Sequence, residues 1–528
     1  MLPRATSYTQ LKDRFAWSIP EHYNIGWDIC DKWARADPGR VALILDEEDR
    51  TVSFGELRVL SNRLANLLAV HGVEPGDRVG VLLPQQLETA VTHIAALKLG
   101  AITIPLFTLF GEEALGHRLS DAEAKIVITN NEGAAKLATM IDGLPSLTAV
   151  LNVDDGLGAA VSAMSDGFTP LDTSSEDPAI LIYTSGTTGK PKGALHAQRI
   201  LLGHLPGVEM SHDLFPQVGD KIWTPADWAW IGGLLDVLMP ALHHGIPVVV
   251  RRFAKFTGEA AFELMAKHQV RNAFLPPTAL KIMRGVADPP KLNLRTVGSG
   301  GESLGEELLD WGRKTLGVTI NEFYGQTECN MIVSSCQHLN AQRAGVMGWG
   351  VPGHGVAVLD DDAAPVVGSE GRIGVKRGSP VMFLGYWNNE TATAEKFDGD
   401  WLITGDRGIQ ENDGAIRFVG RDDDIISSAG YRIGPGEIED CLLKHEAVSL
   451  AAAVGKPDAL RGEIVKAYIV LVDGVTPSSE LADEISVFVK MRLAAHEYPR
   501  EVSFVAALPM TTTGKIIRRE LREKARHE

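Results

Sequence analysis

Apolar and polar positions alternate along the chain in two distinct rhythms. From Gly76 onward, apolar runs at 77–83, 101–105 and 125–129 are separated by longer helix-length stretches, the first at 87–99. Short apolar runs bounded by turn residues, alternating with helical periodicity, predict βαβ units and a parallel sheet covered on both faces. The rhythm returns as strands at 246–250, 272–275, 295–298 and 318–323, with helices at 258–268, 278–286 and 304–316. This predicts an α/β fold: two doubly wound sheets stacked in one large N-terminal region.

After Gly420 the pattern shortens. Apolar runs at 450–454 and 464–472 precede a helix at 481–493 and a basic helix starting at Ile516, which predicts a small α+β C-terminal domain. The segment between the two regions, GRDDDIISSAGYRIGPGE, is charged and glycine-rich and lacks a sustained apolar period, the marks of an exposed connection. The expected organisation is a domain over 1–420, a hinge over 421–424 and a mobile domain over 425–528.

Composition narrows the class. The 528 residues, 45% hydrophobic and 23% charged, suffice for at least two cores and exclude disordered, collagen-like and coiled-coil chains. With 51 Lys and Arg against 68 Asp and Glu the net charge is −17, which argues against nucleic acid or an anionic membrane as partner. Cys30, Cys329, Cys336 and Cys441 show no metal-ligand spacing and read as buried thiols in a reducing compartment. The N-terminal MLPRATSYTQLKDRF has no signal-peptide core. The longest apolar stretch, 230–242, contains Asp236 and is too short to span a bilayer, so a cytoplasmic protein is expected.

The most informative segment is YTSGTTGKPKG at 183–193, directly after the apolar run 179–183. Glycines let successive N–H groups face a polyphosphate, the hydroxyls of Thr184, Ser185, Thr187 and Thr188 add donors, and Lys190 and Lys192 offset charge. It is not a P-loop of the ATPase kind, because Pro191 follows the lysine and Thr184 stands where that pattern needs Gly. Nor is Gly298-Ser299-Gly300-Gly301 a dinucleotide fingerprint, since Ser303 replaces the last Gly.

With five further motifs in order, the chain resembles the superfamily of ATP-dependent adenylate-forming enzymes over nearly its whole length. The motifs are GGES at 300–303, YGQTE at 324–328, TGD at 404–406, GRDDD at 420–424 and TTTGKIIRREL at 511–521. The overall text looks closest to the medium-chain acyl-CoA synthetases. The resemblance implies an ATP-dependent carboxylic acid:CoA ligase acting through an acyl-adenylate. It implies a phosphate loop over Thr184, Ser185, Gly186, Thr187, Thr188, Gly189, Lys190 and Lys192. Gly301, Glu302, Ser303, Glu322, Phe323, Tyr324 and Gln326 would line the adenine site. It further implies that Thr327 holds phosphate oxygens, Glu328 ligates Mg²⁺, Asp406 accepts the ribose hydroxyls, and Arg421 contacts ribose or phosphate.

Lys515 would be the lysine of adenylation, its ammonium stabilising charge on the transferring phosphoryl group. Asp423 would be the hinge about which the small domain turns, bringing Ala429, Gly430, Tyr431 and Arg432 to the pantetheine of coenzyme A. The same family relation places Trp230, Gly232, Gly300 and Gly325 at the acyl pocket. Acetyl-CoA synthetases carry Trp where Gly325 stands, so the missing side chain is expected to open the pocket to acids longer than propionate. An aryl acid such as benzoate, or a carrier-protein thiol in place of CoA, stays open as an alternative. So do self-association and acylation of Lys515, the latter without the basic residue often found before the Gly of such sites.

Overall fold

The computed structural model describes the chain except residues 185–190, 303, 340–342, 423, 429–430, 459–460, 494–497 and 512–514, and describes 427, 431, 432 and 437 by backbone alone. It divides into two compact units, one of residues 1–355 and 375–400, the other of 356–374 and 401–528.

The first unit holds the βαβ text. Strands Arg78–Leu82, Ile102–Pro105, Ile126–Thr129, Ala149–Asn152 and Pro178–Thr184 pair in parallel, with Arg78–Leu82 central. Lys192–Ala197 and then Gly385–Tyr386 extend this sheet antiparallel beyond Pro178–Thr184. A second sheet runs in parallel through Val41–Leu45, Val248–Val250, Ile222–Trp223, Asn272–Phe274, Thr296–Gly300 and Ile320–Gln326. Antiparallel strands Asn330–Ser334 and Val346–Gly350 continue it.

One apolar core joins the two sheets: Val79, Val81, Ile180 and Ile182 of the first cluster with Leu43, Val248, Val250 and Phe274 of the second. Helix Leu87–Lys98 is buried at every position but Glu88 and packs in that core, which explains why LETAVTHIAALK carries no solvent stripe. Its single cation, Lys98, reaches Asp31 at 2.5 Å, Asn62 at 2.7 Å and Ser61 at 2.9 Å. Three partners for three N–H groups are what a buried ammonium requires. The helix expected at 304–316 is interrupted: Glu306–Trp311 passes into a wider turn, Gly312–Leu316. Gly312 lies so close to Ile320 that a Cβ would come within 2.8 Å of its side chain.

The second unit begins earlier than the boundary expected at 420. Strands Val356–Leu359, Trp401–Gln410, Ala415–Arg421 and most of Glu370–Lys376 belong to it, because residues from both sides of 375–400 form its sheet. Its C-terminal part is the expected α+β domain. Val448–Asp458 and Gly462–Leu471 form a long antiparallel pair, Glu501–Phe504 adds in parallel, and Ile426–Ser428 with Tyr431–Ile433 closes the other edge. Helices Pro435–Leu442 and Ser479–Lys490 pack over one apolar cluster and Arg518–His527 over another.

All four cysteines are free and buried. Among the described residues no helix is long and apolar enough to cross a membrane, and no cluster of three His, Cys, Asp or Glu side chains forms a metal cage.

Candidate functional site

Strands Pro178–Thr184 and Lys192–Ala197 form a hairpin in which Thr184 and Lys192 are cross-strand partners. The sheet therefore fixes both ends of the glycine-rich connection. Thr184 donates its hydroxyl to the Lys192 carbonyl at 3.3 Å. Tyr183 donates to the Asp121 carboxylate at 2.7 Å, and burial together with that carboxylate raises its phenol well above the ordinary range. Ser185, Gly186, Thr187, Thr188, Gly189 and Lys190 lie outside the described residues, as does Ser303.

YGQTE occupies a second hairpin. Strand Ile320–Gln326 turns at 327–329, the Cys329 amide donating to the Gln326 carbonyl at 3.2 Å, and returns as Asn330–Ser334. Thr327 and Glu328 thus sit at the tip of a tight turn, Thr327 half-buried and Glu328 buried. The Glu328 carboxylate Oε1 accepts a hydrogen bond from the Tyr386 hydroxyl and lies 3.8 Å from the Lys396 ammonium. One carboxylate beside substrate phosphates is the donor set that Mg²⁺ arriving with ATP takes, so the residue fits that ion. Upstream, Glu322 is 3% exposed and accepts the Leu304 amide at 3.3 Å. Tyr324 and Gln326 are half-buried on the same strand. Gly301 has φ +101°, a conformation that favours glycine, and Glu302 lies 3.9 Å from Lys281.

The acyl-pocket residues divide. Trp230, Gly232, Gly300 and Phe323 come together around Phe274, whose ring centroid lies 5.7 Å from Trp230 and 5.4 Å from Phe323. A Cβ on Gly232 would meet the Trp230 ring at 2.7 Å, and one on Gly300 the Phe323 ring at 2.4 Å, so the glycines admit a wall of three aromatics. Phe323, expected at the adenine, is 8% exposed and belongs to that wall. The expectation for Gly325 needs correction. A Cβ there would fall 1.5 Å from the Asn330 carbonyl oxygen and 2.9 Å from the Met331 nitrogen, at an irregularity in the hairpin. Gly325 is required by backbone approach, and its missing side chain does not open a pocket. Beside the wall, Asp227 accepts the Ala229 amide at 2.8 Å, and burial pushes its carboxyl up to about 6.

In the second unit, TGD and GRDDD lie on paired strands. Asp406 faces Arg421 across them, with Arg421 Nη1 3.8 Å from Asp406 Oδ1, and Thr404 donates to the Ile373 carbonyl at 2.8 Å. Asp424 is held by Arg522 and lies 3.6 Å from Arg518, which also grips Glu439 at 2.6 Å. Lys515 is exposed beside a one-bridge turn, its amide donating to Thr511 Oγ1 at 3.0 Å and its carbonyl accepting the Thr511 amide at 2.7 Å. Asp423, Ala429 and Gly430 lie outside the described residues, and Tyr431 and Arg432 are described only as backbone of strand Tyr431–Ile433.

Sequence reasoning missed Phe274, Tyr386, Lys396 and the Arg518 and Arg522 contacts to Asp424. Tyr386 and Lys396 lie in GYWNNETATAEKF, where no spacing rule marks them. Arg518 and Arg522 stand one turn apart on a helix that reads only as basic.

An AMP-binding enzyme family model matches residues 30–387, and an AMP-binding enzyme C-terminal domain model matches 437–515. The acetyl-coenzyme A synthetase of Bacillus subtilis (strain 168) is 34% identical over 520 residues, covering 94% of this chain and 90% of the relative. The mitochondrial acyl-coenzyme A synthetase ACSM3 of Mus musculus is 32% identical over 544 residues, covering 98% and 93%. Among solved structures, the anthranilate CoA ligase AuaEII in complex with anthranoyl-AMP is similar with a TM-score of 0.89 at 27% identity, over 96% of this chain and 98% of that one. With the hairpin that flanks YTSGTTGKPKG, the YGQTE turn and the paired TGD and GRDDD strands described, these full-length matches establish that the chain belongs to the AMP-binding enzyme family, among its acyl-CoA synthetases.

Proposed function

We propose that this acyl-CoA synthetase joins a fatty or related carboxylic acid, short to medium in chain and longer than propionate, to coenzyme A. ATP is cleaved to AMP and pyrophosphate through an acyl-adenylate. The observation that carries the substrate reading is the aromatic wall of Trp230, Phe274 and Phe323, closed up at Gly232 and Gly300. Such a wall contacts apolar acyl carbons and offers nothing to a second charge. Each methylene against it changes binding by about 1–3 kcal/mol, so selectivity among neighbouring chain lengths is graded.

Glu328 would hold the Mg²⁺ that accompanies ATP, and the ion would supply charge neutralisation at the phosphates. Thr184, Thr327 and Lys192 meet the phosphate oxygens by hydroxyl and ammonium contacts. Asp406 and Arg421 bind the ribose, and Lys515 places its ammonium against the phosphoryl group during adenylation. Residues 421–424 serve as the pivot between half-reactions, and the segment 429–432 receives pantetheine. A cytoplasmic setting suits the net charge of −17 and the four reduced thiols.

The test is CoA-dependent AMP formation with acetate, propionate, butyrate, hexanoate, octanoate and benzoate. A maximum kcat/KM at four carbons or more supports the substrate reading. A maximum at acetate overturns the chain-length reading, and a maximum at benzoate assigns the wall to an aryl acid.

A further inference from the structure

Resting on the reading of Glu328 as the carboxylate that takes Mg²⁺, we infer that Tyr386, with Lys396 beside it, is the positioning residue that presents that carboxylate to the metal. Both donors lie on one oxygen. The Tyr386 hydroxyl donates to Glu328 Oε1 and the Lys396 ammonium stands 3.8 Å from the same atom, while among the described residues no donor reaches Oε2. A carboxylate held by one oxygen keeps the other in a fixed direction, and a cation then meets an oriented ligand with little rotational freedom left to lose.

The backbone around Tyr386 makes the orientation rigid. The Phe383 amide donates to the Glu328 carbonyl at 2.8 Å, and the Trp387 amide donates to the Gly193 carbonyl at 2.7 Å. Strand Gly385–Tyr386 pairs with Lys192–Ala197, setting Tyr386 opposite Ala194. One short segment is therefore fastened both to the turn that carries Glu328 and to the strand that leaves the phosphate loop. The Tyr386 ring also lies beneath the Lys192 ammonium, 5.1 Å from ring centroid to nitrogen. A cation over the face of an electron-rich ring is attracted to it, so Tyr386 touches a phosphate-loop cation with its ring and the metal carboxylate with its hydroxyl.

Tyr386→Phe keeps the ring under Lys192 and removes only the donor. Groups that orient metal ligands typically change metal affinity by about 10- to 100-fold when lost. The experiment measures Mn²⁺ binding to the full-length protein with a non-hydrolysable ATP analogue, by electron paramagnetic resonance of the free ion. Parent, Tyr386→Phe, Lys396→Gln, Glu328→Gln and the Tyr386→Phe/Glu328→Gln double variant are compared, each checked by thermal unfolding.

The expected result is a Mn²⁺ Kd raised about tenfold by Tyr386→Phe, raised at least as much by Glu328→Gln, and no higher in the double variant than in Glu328→Gln alone. If Glu328→Gln weakens Mn²⁺ while Tyr386→Phe leaves it unchanged, the positioning role is overturned and the role of Glu328 stands. If Glu328→Gln itself leaves Mn²⁺ binding unchanged, the metal reading fails, and the positioning role with it. Should Tyr386→Phe not fold, Lys396→Gln carries the same comparison: a raised Kd supports the held oxygen, and an unchanged one contradicts it.

Discussion

Asp406 and Arg421 are direct partners across the antiparallel strands Trp401–Gln410 and Ala415–Arg421, carboxylate Oδ1 and guanidinium Nη1 3.8 Å apart. Two motifs read separately in the sequence thus form one charged pair, with Asp406 only 4% exposed. Hydrogen bonds to a charged group contribute about 1.5–3 kcal/mol. Asp406→Asn should therefore raise the KM for ATP by roughly 10- to 100-fold, with a much smaller effect on the KM for the acid. Steady-state kinetics in both substrates checks this, and an unchanged ATP dependence would remove Asp406 from the nucleotide site.

Gly325 offers a second prediction. Because a Cβ there meets the Asn330 carbonyl oxygen at 1.5 Å, Gly325→Ala should strain the hairpin that presents Thr327 and Glu328. The variant should lose thermal stability and lose activity with every acid in parallel. A variant of normal stability whose optimum moved to shorter acids would restore Gly325 to the pocket.

Much of the fold was legible because buried parallel strands and their covering helices write two separate periods into the chain, as at Arg78–Leu82 and Gly258–Lys267. The site motifs were legible for a different reason: a segment that must face a polyphosphate would be constrained in both composition and order, which is how YTSGTTGKPKG reads. Gly325 misled because a sequence records that a side chain is missing but not where it would have pointed. Tyr386 was invisible because its role comes from strand pairing across nearly two hundred positions, Tyr386 with Ala194. The early start of the second unit was hidden for the same reason, since strands on both sides of 375–400 make its sheet.

Asp227 makes stability depend on pH. Burial pushes its carboxyl up from an ordinary 3.8 to about 6. A folded-state value raised in this way gives stability that is full below the unfolded value and lost as pH rises through the folded one. Asp227→Asn keeps the acceptor for the Ala229 amide and removes the half-buried charge. It should be more stable than the parent at pH 8, by about 3 kcal/mol at most, with the gain vanishing near pH 4. Urea unfolding at pH 4, 6 and 8 reads this; a gain independent of pH would contradict it.

Lys98 is fully buried, and its partner Asp31 also receives Arg58 at 3.1 Å. Removing one member of a buried pair leaves an under-compensated charge, at a cost of about 3–5 kcal/mol. Lys98→Met should lower unfolding stability by that order. A loss below about 1 kcal/mol would show that Arg58 alone compensates Asp31.

The most direct test of the account is the product balance of a single reaction: protein, ATP, Mg²⁺, CoA and hexanoate, with AMP, ADP, pyrophosphate and acyl-CoA quantified together and each component omitted in turn. The account predicts AMP, pyrophosphate and hexanoyl-CoA in equal amounts, none without the acid, and loss of all three in Lys515→Ala. Formation of ADP, or AMP release that continues at full rate without CoA, would contradict it.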